Sequence, residues 1–117
     1  MDLVFQGTTS EIDFALVDHN GAAVPKANLS TLTAKLYDLA SGSVINGRDY
    51  QNILDANGGA VNADGTGTLS LGTLDNPIVN PAIRVGDTEE HGLAVRFTTS
   101  GGINGAGRMT FVVEKMA

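Results

Sequence analysis

The chain has neither cysteine nor tryptophan, and only 5% of its 117 residues are aromatic. Without cysteine, disulfide bonds and thiolate metal sites are excluded. Carbohydrate-binding proteins commonly stack sugars on aromatic side chains, and this chain has only Tyr37 and Tyr50 available for that purpose. We assign Tyr50 to the packing of a short helix described below, which leaves Tyr37 as the candidate for stacking on a sugar.

Long apolar runs and clusters of basic residues are also missing. No apolar run approaches the roughly 20 residues that a membrane-spanning helix needs, and the first residues lack the basic and apolar regions of a secretion signal. The seven basic residues form no run, and the net charge is −6. We therefore expect neither a membrane nor nucleic acid as a partner, because an acidic surface repels phosphate.

What the chain does have is turn dipeptides, and several of them lie beside runs of alternating apolar and polar residues. The turns are predicted at Asn20-Gly21, Asn46-Gly47, Asn57-Gly58, Asp64-Gly65 and Asn104-Gly105. Asn, Asp and Gly tolerate the positive φ of tight hairpin turns. This combination predicts an all-β fold, and an immunoglobulin-like antiparallel β-sandwich of about seven or eight strands fits best. A jelly roll or a small barrel is the alternative.

We predict one domain over residues 1–117, with strands at 3–5, 11–18, 30–39, 43–45, 59–62, 66–72, 90–99 and 108–115. In residues 48–56, Tyr50, Ile53 and Leu54 follow a spacing of three and four, which predicts one short helix ending at Asn57-Gly58. Residues 73–88 form an unusually long connection with two prolines and no alternation. Its apolar residues either fold back on the sandwich or form an exposed contact patch.

Candidate chemical sites are few. Glu89 and His91 share one face of a strand, but a metal site needs a third ligand, so His91 is interpreted as a polar residue at the strand entry. Residues 55–66 do not match a calcium loop, although Asp55 and Asp64 could contribute to a looser site. The glycine-rich loop 100–107 leads into a strand and not into a phosphate-binding helix. No enzyme activity and no cofactor or metal are predicted; a pocket where His91, Glu89 and another polar ligand converge would favour an enzyme instead.

Several segments resemble small virion proteins of tailed bacteriophages. They are residues 14–25 (FALVDHNGAAVP), 36–48 (LYDLASGSVINGR), 53–59 (ILDANGG), 74–79 (LDNPIV) and 88–91 (TEEH). The order of these elements is similar to that of immunoglobulin-like accessory proteins encoded among phage head, neck and tail genes, and loosely to the N-terminal domain of baseplate upper proteins.

The resemblance implies a structural virion protein, made in the host cytoplasm, that acts as a head decoration or a head-tail junction component. It would bind other virion proteins (capsid, connector or tail) in many copies. The alternative is a tail or baseplate module, or one that binds host-surface carbohydrate. Exposed strand edges and loops can bind such partners. The candidate contact residues are Leu3, Val4, Phe5, Pro77, Ile78, Val79, Pro81, Ile83, Val85 and Ile103.

Overall fold

The computed structural model describes residues 2–117, and its regular structure is almost entirely β. In this part of the chain the helical pieces are two single 3-10 turns, at Lys26–Asn28 and Thr73–Asp75. The strands are β1 (Asp2–Phe5), β2 (Ser10–Ala15), β3 (Leu29–Asp38), β4 (Gln51–Asn52), β5 (Gly59–Val61), β6 (Thr66–Leu71), β7 (Thr88–Thr99) and β8 (Asn104–Glu114).

The strands form two sheets packed as a sandwich, as predicted. One sheet has five strands in the order β1-β8-β7-β3-β4, and the other has three in the order β2-β6-β5. This division, with β3, β7 and β8 facing β2, β5 and β6, is that of immunoglobulin domains, and β4 extends the first sheet as in variable-type domains.

One strand pair departs from the antiparallel prediction. β1 runs parallel to β8, with Val4 opposite Val113, and both of these side chains are buried. A parallel pair needs a long crossover between its strands. The whole domain lies between β1 and β8, so no tight turn forces them to run in opposite directions.

The core lies between the sheets and follows the alternation seen in the sequence. Five inward residues of β3, β6, β7 and β8 are completely buried: Leu32, Leu36, Leu69, Leu93 and Val113. Burying each such side chain contributes about 1.5–3 kcal/mol. The inward residues therefore fix the register of the strands, because a slip by one position would turn all of them toward water.

The prediction of a short helix at residues 48–56 is wrong. Gln51 and Asn52 form β4, which pairs with β3, and Tyr50 has a φ of 50°, outside the right-handed helical region. Ile53 is fully buried, and its N–H donates to the carbonyl of Leu32 at 3.0 Å. The spacing of three and four arises from turns that alternate with a two-residue strand.

Four of the five predicted turn dipeptides contain residues with positive φ, and the fifth prediction is wrong. Asn104 and Gly105 lie inside β8, where they pair with Thr98 and Phe97. The ring of Phe97 lies where a Cβ on residue 105 would be, so this glycine provides space and not a turn. The predicted strand at 43–45 is reduced to a single bridge between Tyr37 and Val44.

Candidate functional site

The predicted contact residues of the first strand split between two faces. β1 lies at the edge of the five-stranded sheet. Leu3 and Phe5 are 53% and 44% exposed, but Val4 points into the core and is buried. Leu3 pairs with Val112, which pairs with Glu90, so the exposed apolar residues of β1 lie on the outward face of this sheet.

The connection between β6 and β7 folds back on the sandwich in its first half. Ile78 and Val79 are half-buried and pack against the core, and Pro77 is half-buried beside them. Further along, Pro81 is exposed, Val85 is 65% exposed, and Ile83 is half-buried, with its carbonyl accepting from Lys115 Nζ. The segment therefore folds back on the sandwich at residues 77–79, whereas Leu74 and Val85 are exposed.

The loop at the other end of β7 is shorter than predicted. Its turn occupies residues 100–103, because β8 already begins at Asn104. Ile103 is 38% exposed there, and its N–H and carbonyl both bond to Thr99 Oγ1.

A buried ion pair holds the start of the connection between β6 and β7. Asp75 accepts from Arg48 Nε at 2.7 Å and from Arg48 Nη2 at 3.0 Å, and it also accepts from Asn46 Nδ2 and from the N–H of Gly72. Burial acts to raise the pKa of Asp75, but the hydrogen bonds from Arg48, Asn46 and Gly72 outweigh it and hold the pKa below its usual value.

A buried cluster of three polar residues, Asp38, Glu89 and His91, holds the middle of the connection between β6 and β7. Glu89 accepts from the N–H groups of Val79 and Asn80, at 2.7 and 3.0 Å, and His91 Nε2 lies 2.6 Å from its Oε2. Asp38 lies directly opposite His91 in the β3–β7 pair. Donor atoms of Asp38, Glu89 and His91 all lie within 4.8 Å of one another, and all three residues are buried.

This cluster adjoins a groove of about 880 Å³. Asp38, Leu39 and Ser41 line it on the β3 side; Val79, Pro81 and Ile83 line it on the side of the connection, and Glu89 lies between. The prediction that Glu89 and His91 share a face is confirmed. His91 is not a polar residue at the strand entry, however, because it is completely buried.

Glu89 and His91 therefore do converge with a third polar side chain, Asp38, which is the arrangement that would favour a reactive centre. The sequence gives no local signal for this, since Asp38 and His91 are joined only by the register of two distant strands. The contacts of Glu89 give the cluster a clear structural role: its carboxylate holds Val79 and Asn80 against the sandwich.

The outward face of the five-stranded sheet carries a different group of side chains, which we call the outward patch: Lys35, Tyr37, Tyr50, Arg96 and Arg108. The guanidinium carbon of Arg96 lies 4.0 Å from the centre of the Tyr50 ring. Lys35 Nζ lies 5.5 Å from the Tyr37 ring and 6.0 Å from the Tyr50 ring. Arg108 pairs with Ala94, which pairs with Lys35, so the three cations occupy adjacent strands.

This patch is absent from the predictions made from the sequence. Tyr50 was predicted to pack a helix, whereas its ring stacks with Arg96 on the sheet surface. The alternation in β3 and β7 does place Lys35, Tyr37 and Arg96 outward. What could not be derived is the pairing of β3 with β7, which brings them to one place.

The patch is a local excess of positive charge on an acidic protein. It contains three of the seven basic residues of a chain whose net charge is −6. In the described part of the chain the ion pairs are Lys26–Asp55, Arg48–Asp75 and Glu89–His91, and none of them involves a cation of the patch. On the opposite sheet, Glu11 and Asp13 of β2 are exposed.

Asp55 and Asp64, suggested for a looser calcium site, both use their carboxylates in contacts within the chain. Asp55 pairs with Lys26 and accepts from the N–H of Val61, while Asp64 accepts from the hydroxyl and the N–H of Thr66. The carboxylate of Asp64 therefore supports its own turn, and that of Asp55 links its turn to Lys26 and to β5.

Comparison of the chain with protein-family models, with curated proteins and with solved structures gave no match. The described residues contain no helix with the length and apolar character required to traverse a bilayer.

Proposed function

We propose that this chain is a structural protein of a tailed-bacteriophage virion, either a head decoration or a head-tail junction component. In this proposal it binds acidic surfaces of other virion proteins in many copies. The virion assignment rests on the resemblance of the segments described above. The observation that carries the binding role is the outward patch, in which Lys35 and Arg96 lie over two tyrosine rings and Arg108 stands on the adjacent strand.

Three properties of the patch support binding to protein. Arginine and tyrosine are enriched where protein interfaces have their strongest contacts. A sheet surface is broad, whereas sites for small molecules are usually concave. The unpaired cations of an acidic chain complement a negatively charged partner and accelerate its association.

The apolar side chains of β1 extend the same face. Leu3 and Phe5 are exposed beside Val112, which is half-buried, and they lie on the same side of the sheet as the cations. An interface built here would combine apolar contacts at β1 with charge pairing at β3, β7 and β8. Such a mixture is typical of non-obligate protein interfaces.

The experiment requires the phage that encodes this chain. Particles from a phage with the gene deleted are complemented with wild-type protein or with Arg96→Glu, and purified virions are analysed by mass spectrometry and cryo-electron microscopy. We expect the wild type in the particles and Arg96→Glu absent from them, although that variant folds. Arg84→Glu is the matched control, since Arg84 is exposed on the connection outside the patch, and we expect it to be incorporated.

Two results would contradict the proposal. Virions that contain no wild-type protein would overturn the virion assignment. Incorporation of Arg96→Glu at the wild-type level would instead remove the outward patch as the binding surface.

A second candidate is the tail, baseplate or host-surface module that binds carbohydrate. The observation that favours it is that Tyr37 and Tyr50 lie in the same patch and both contact Lys35. Aromatic rings beside cations suit acidic sugars. A glycan-array signal that is lost in Tyr37→Ala would support this candidate, and an array without any signal would exclude it.

A further inference from the structure

We propose that Asp38, Glu89 and His91 form a binding site for one divalent transition-metal ion, and that zinc matches the site chemically. This inference is independent of the proposed function, because the cluster lies inside the sandwich and not on the outward patch. Zinc binds imidazole nitrogen and carboxylate oxygen, commonly through three protein ligands with water in the remaining position. The cluster offers one imidazole and two carboxylates.

The first argument is distance. The three donor atoms lie within 4.8 Å of one another. Ligands at about 2.0–2.2 Å from a tetrahedral zinc ion lie roughly 3.3 Å apart, so the widest pair must close by up to about 1.5 Å. A small rotation of the Asp38 carboxylate, which is bonded only through Oδ2 to Ser41, provides such a movement without a shift of the strands.

The second argument is the state of His91. Its ring is completely buried, and its Nδ1 has no hydrogen-bond partner among the described residues. The other ring nitrogen, Nε2, lies 2.6 Å from Glu89 Oε2, so Nε2 faces the carboxylate and is the atom that would bind the ion together with Asp38 and Glu89. Buried charged groups in proteins are paired or coordinate metals, and a divalent cation would neutralise the two buried carboxylates beside this ring.

The third argument is that both carboxylates are already oriented. Asp38 Oδ2 accepts from the hydroxyl and the N–H of Ser41, whereas its Oδ1 accepts no bond among the described residues. Glu89 is held by the N–H groups of Val79 and Asn80. Hydrogen bonds of this kind orient the ligands of metal sites.

The fourth argument is access. The cluster is buried, but Asp38 and Glu89 also line the groove between β3 and the connection. The groove provides a path for the ion and space for a water ligand. Asp38 and Glu89 belong to neighbouring strands, β3 and β7, and Glu89 also holds Val79 and Asn80 of the connection. A bound ion would therefore link these elements and raise the stability of the domain.

The test uses the full chain after removal of metals with a chelator, and zinc sulfate as the probe. Isothermal titration calorimetry is expected to give one zinc ion per chain, and zinc is expected to raise the midpoint of thermal unfolding. Magnesium at the same concentration is expected to have no effect, because it requires octahedral oxygen ligands. Cobalt(II) provides a spectroscopic check through the visible absorption of the bound ion.

Two variants locate the site. Asp38→Asn and Glu89→Gln keep the shape of each side chain and are expected to weaken zinc binding by about tenfold or more. Glu90→Gln is the matched control: it is the neighbouring carboxyl residue on β7, but it is exposed, and we expect its affinity to be that of the wild type. Circular dichroism in the absence of metal shows which variants fold, and two ligand variants keep the test decisive if one does not.

The inference fails if metal-free wild-type protein does not bind zinc in the micromolar range. It also fails if zinc binds with unchanged affinity to the folded ligand variants, since the ion would then occupy another place, such as the exposed His19.

Discussion

Replacing Arg48 with methionine tests whether a buried ion pair holds the long connection in place. The side chains of Arg48 and Asp75 are only 13% and 3% exposed, and two of the four hydrogen bonds to Asp75 come from Arg48. Arg48→Met leaves the carboxylate buried with Asn46 and Gly72 alone. Breaking one partner of a buried pair typically costs about 3–5 kcal/mol.

The effect is measured by urea unfolding, followed by far-ultraviolet circular dichroism. If the loss is about 4 kcal/mol and the slope is about 2 kcal/mol per molar urea, the unfolding midpoint falls by about 2 M. Lys26→Met is the matched control, because it breaks the exposed pair of Lys26 with Asp55. We expect that control to change the midpoint little, since exposed ion pairs are well screened.

The loss of stability in Arg48→Met is expected to depend on pH, because it involves the charge of Asp75. The folded-state pKa of Asp75 is lowered, so its contribution to stability is complete above the unfolded value of about 3.9 and is lost as the pH falls through the folded value. In Arg48→Met the hydrogen bonds of Arg48 no longer outweigh burial, so the pKa of Asp75 rises. The difference between wild type and variant is therefore largest near neutral pH and decreases in acid.

Two results would refute the reasoning about this pair. One is a loss below about 1 kcal/mol at neutral pH, which is the range of exposed pairs. The other is a loss of the same size at neutral and acidic pH, which would mean that the charge of Asp75 does not contribute to stability.

Two further substitutions test the packing of the sandwich. Leu36→Ala removes a completely buried side chain and is expected to lower the free energy of unfolding by about 2–5 kcal/mol in urea titrations. A loss below about 0.5 kcal/mol would contradict the position of Leu36 in the packed core. Gly59→Ala places a methyl group against the carbonyl oxygen of Ile53, whereas Gly107→Ala meets nothing within 4 Å. We expect a clear fall in thermal midpoint for the first and a change within about 0.5 kcal/mol of stability for the second, and equal effects would contradict the close approach.

The sequence predicted those parts of the fold that depend on local pattern. Alternation identified β3, β6, β7 and the second half of β8, because each has one face in the core and one in water. It failed between β3 and β5. There a two-residue strand is too short to show a period of two, and positive φ at Asn46, Tyr50, Asp55 and Asn57 breaks the chain into turns.

Both candidate sites depend on strand pairing, which no local pattern contains. Asp38 meets His91 because β3 and β7 pair in one particular register, and the same register sets Lys35 beside Ala94. Predicting either cluster would require that register in advance. The sequence could identify Glu89 and His91 as neighbours on one face, but it could not supply the third residue.

Two residues at the outward patch, Gly92 and Tyr50, have backbone features that lower the stability of the domain. Gly92 lies inside β7, where glycine is unfavourable by roughly 0.5–1 kcal/mol relative to alanine, and a Cβ there would overlap the ring of Tyr37. Tyr50 has a φ of 50°, and such a left-handed conformation costs a bulky residue about 1–2 kcal/mol. Neither feature improves the packing of the core. Gly92 leaves room for Tyr37 to lie over the sheet, and Tyr50 stacks its ring with Arg96. Strain of this kind concentrates at functional positions, so both costs agree with the role in partner binding that we propose for the patch.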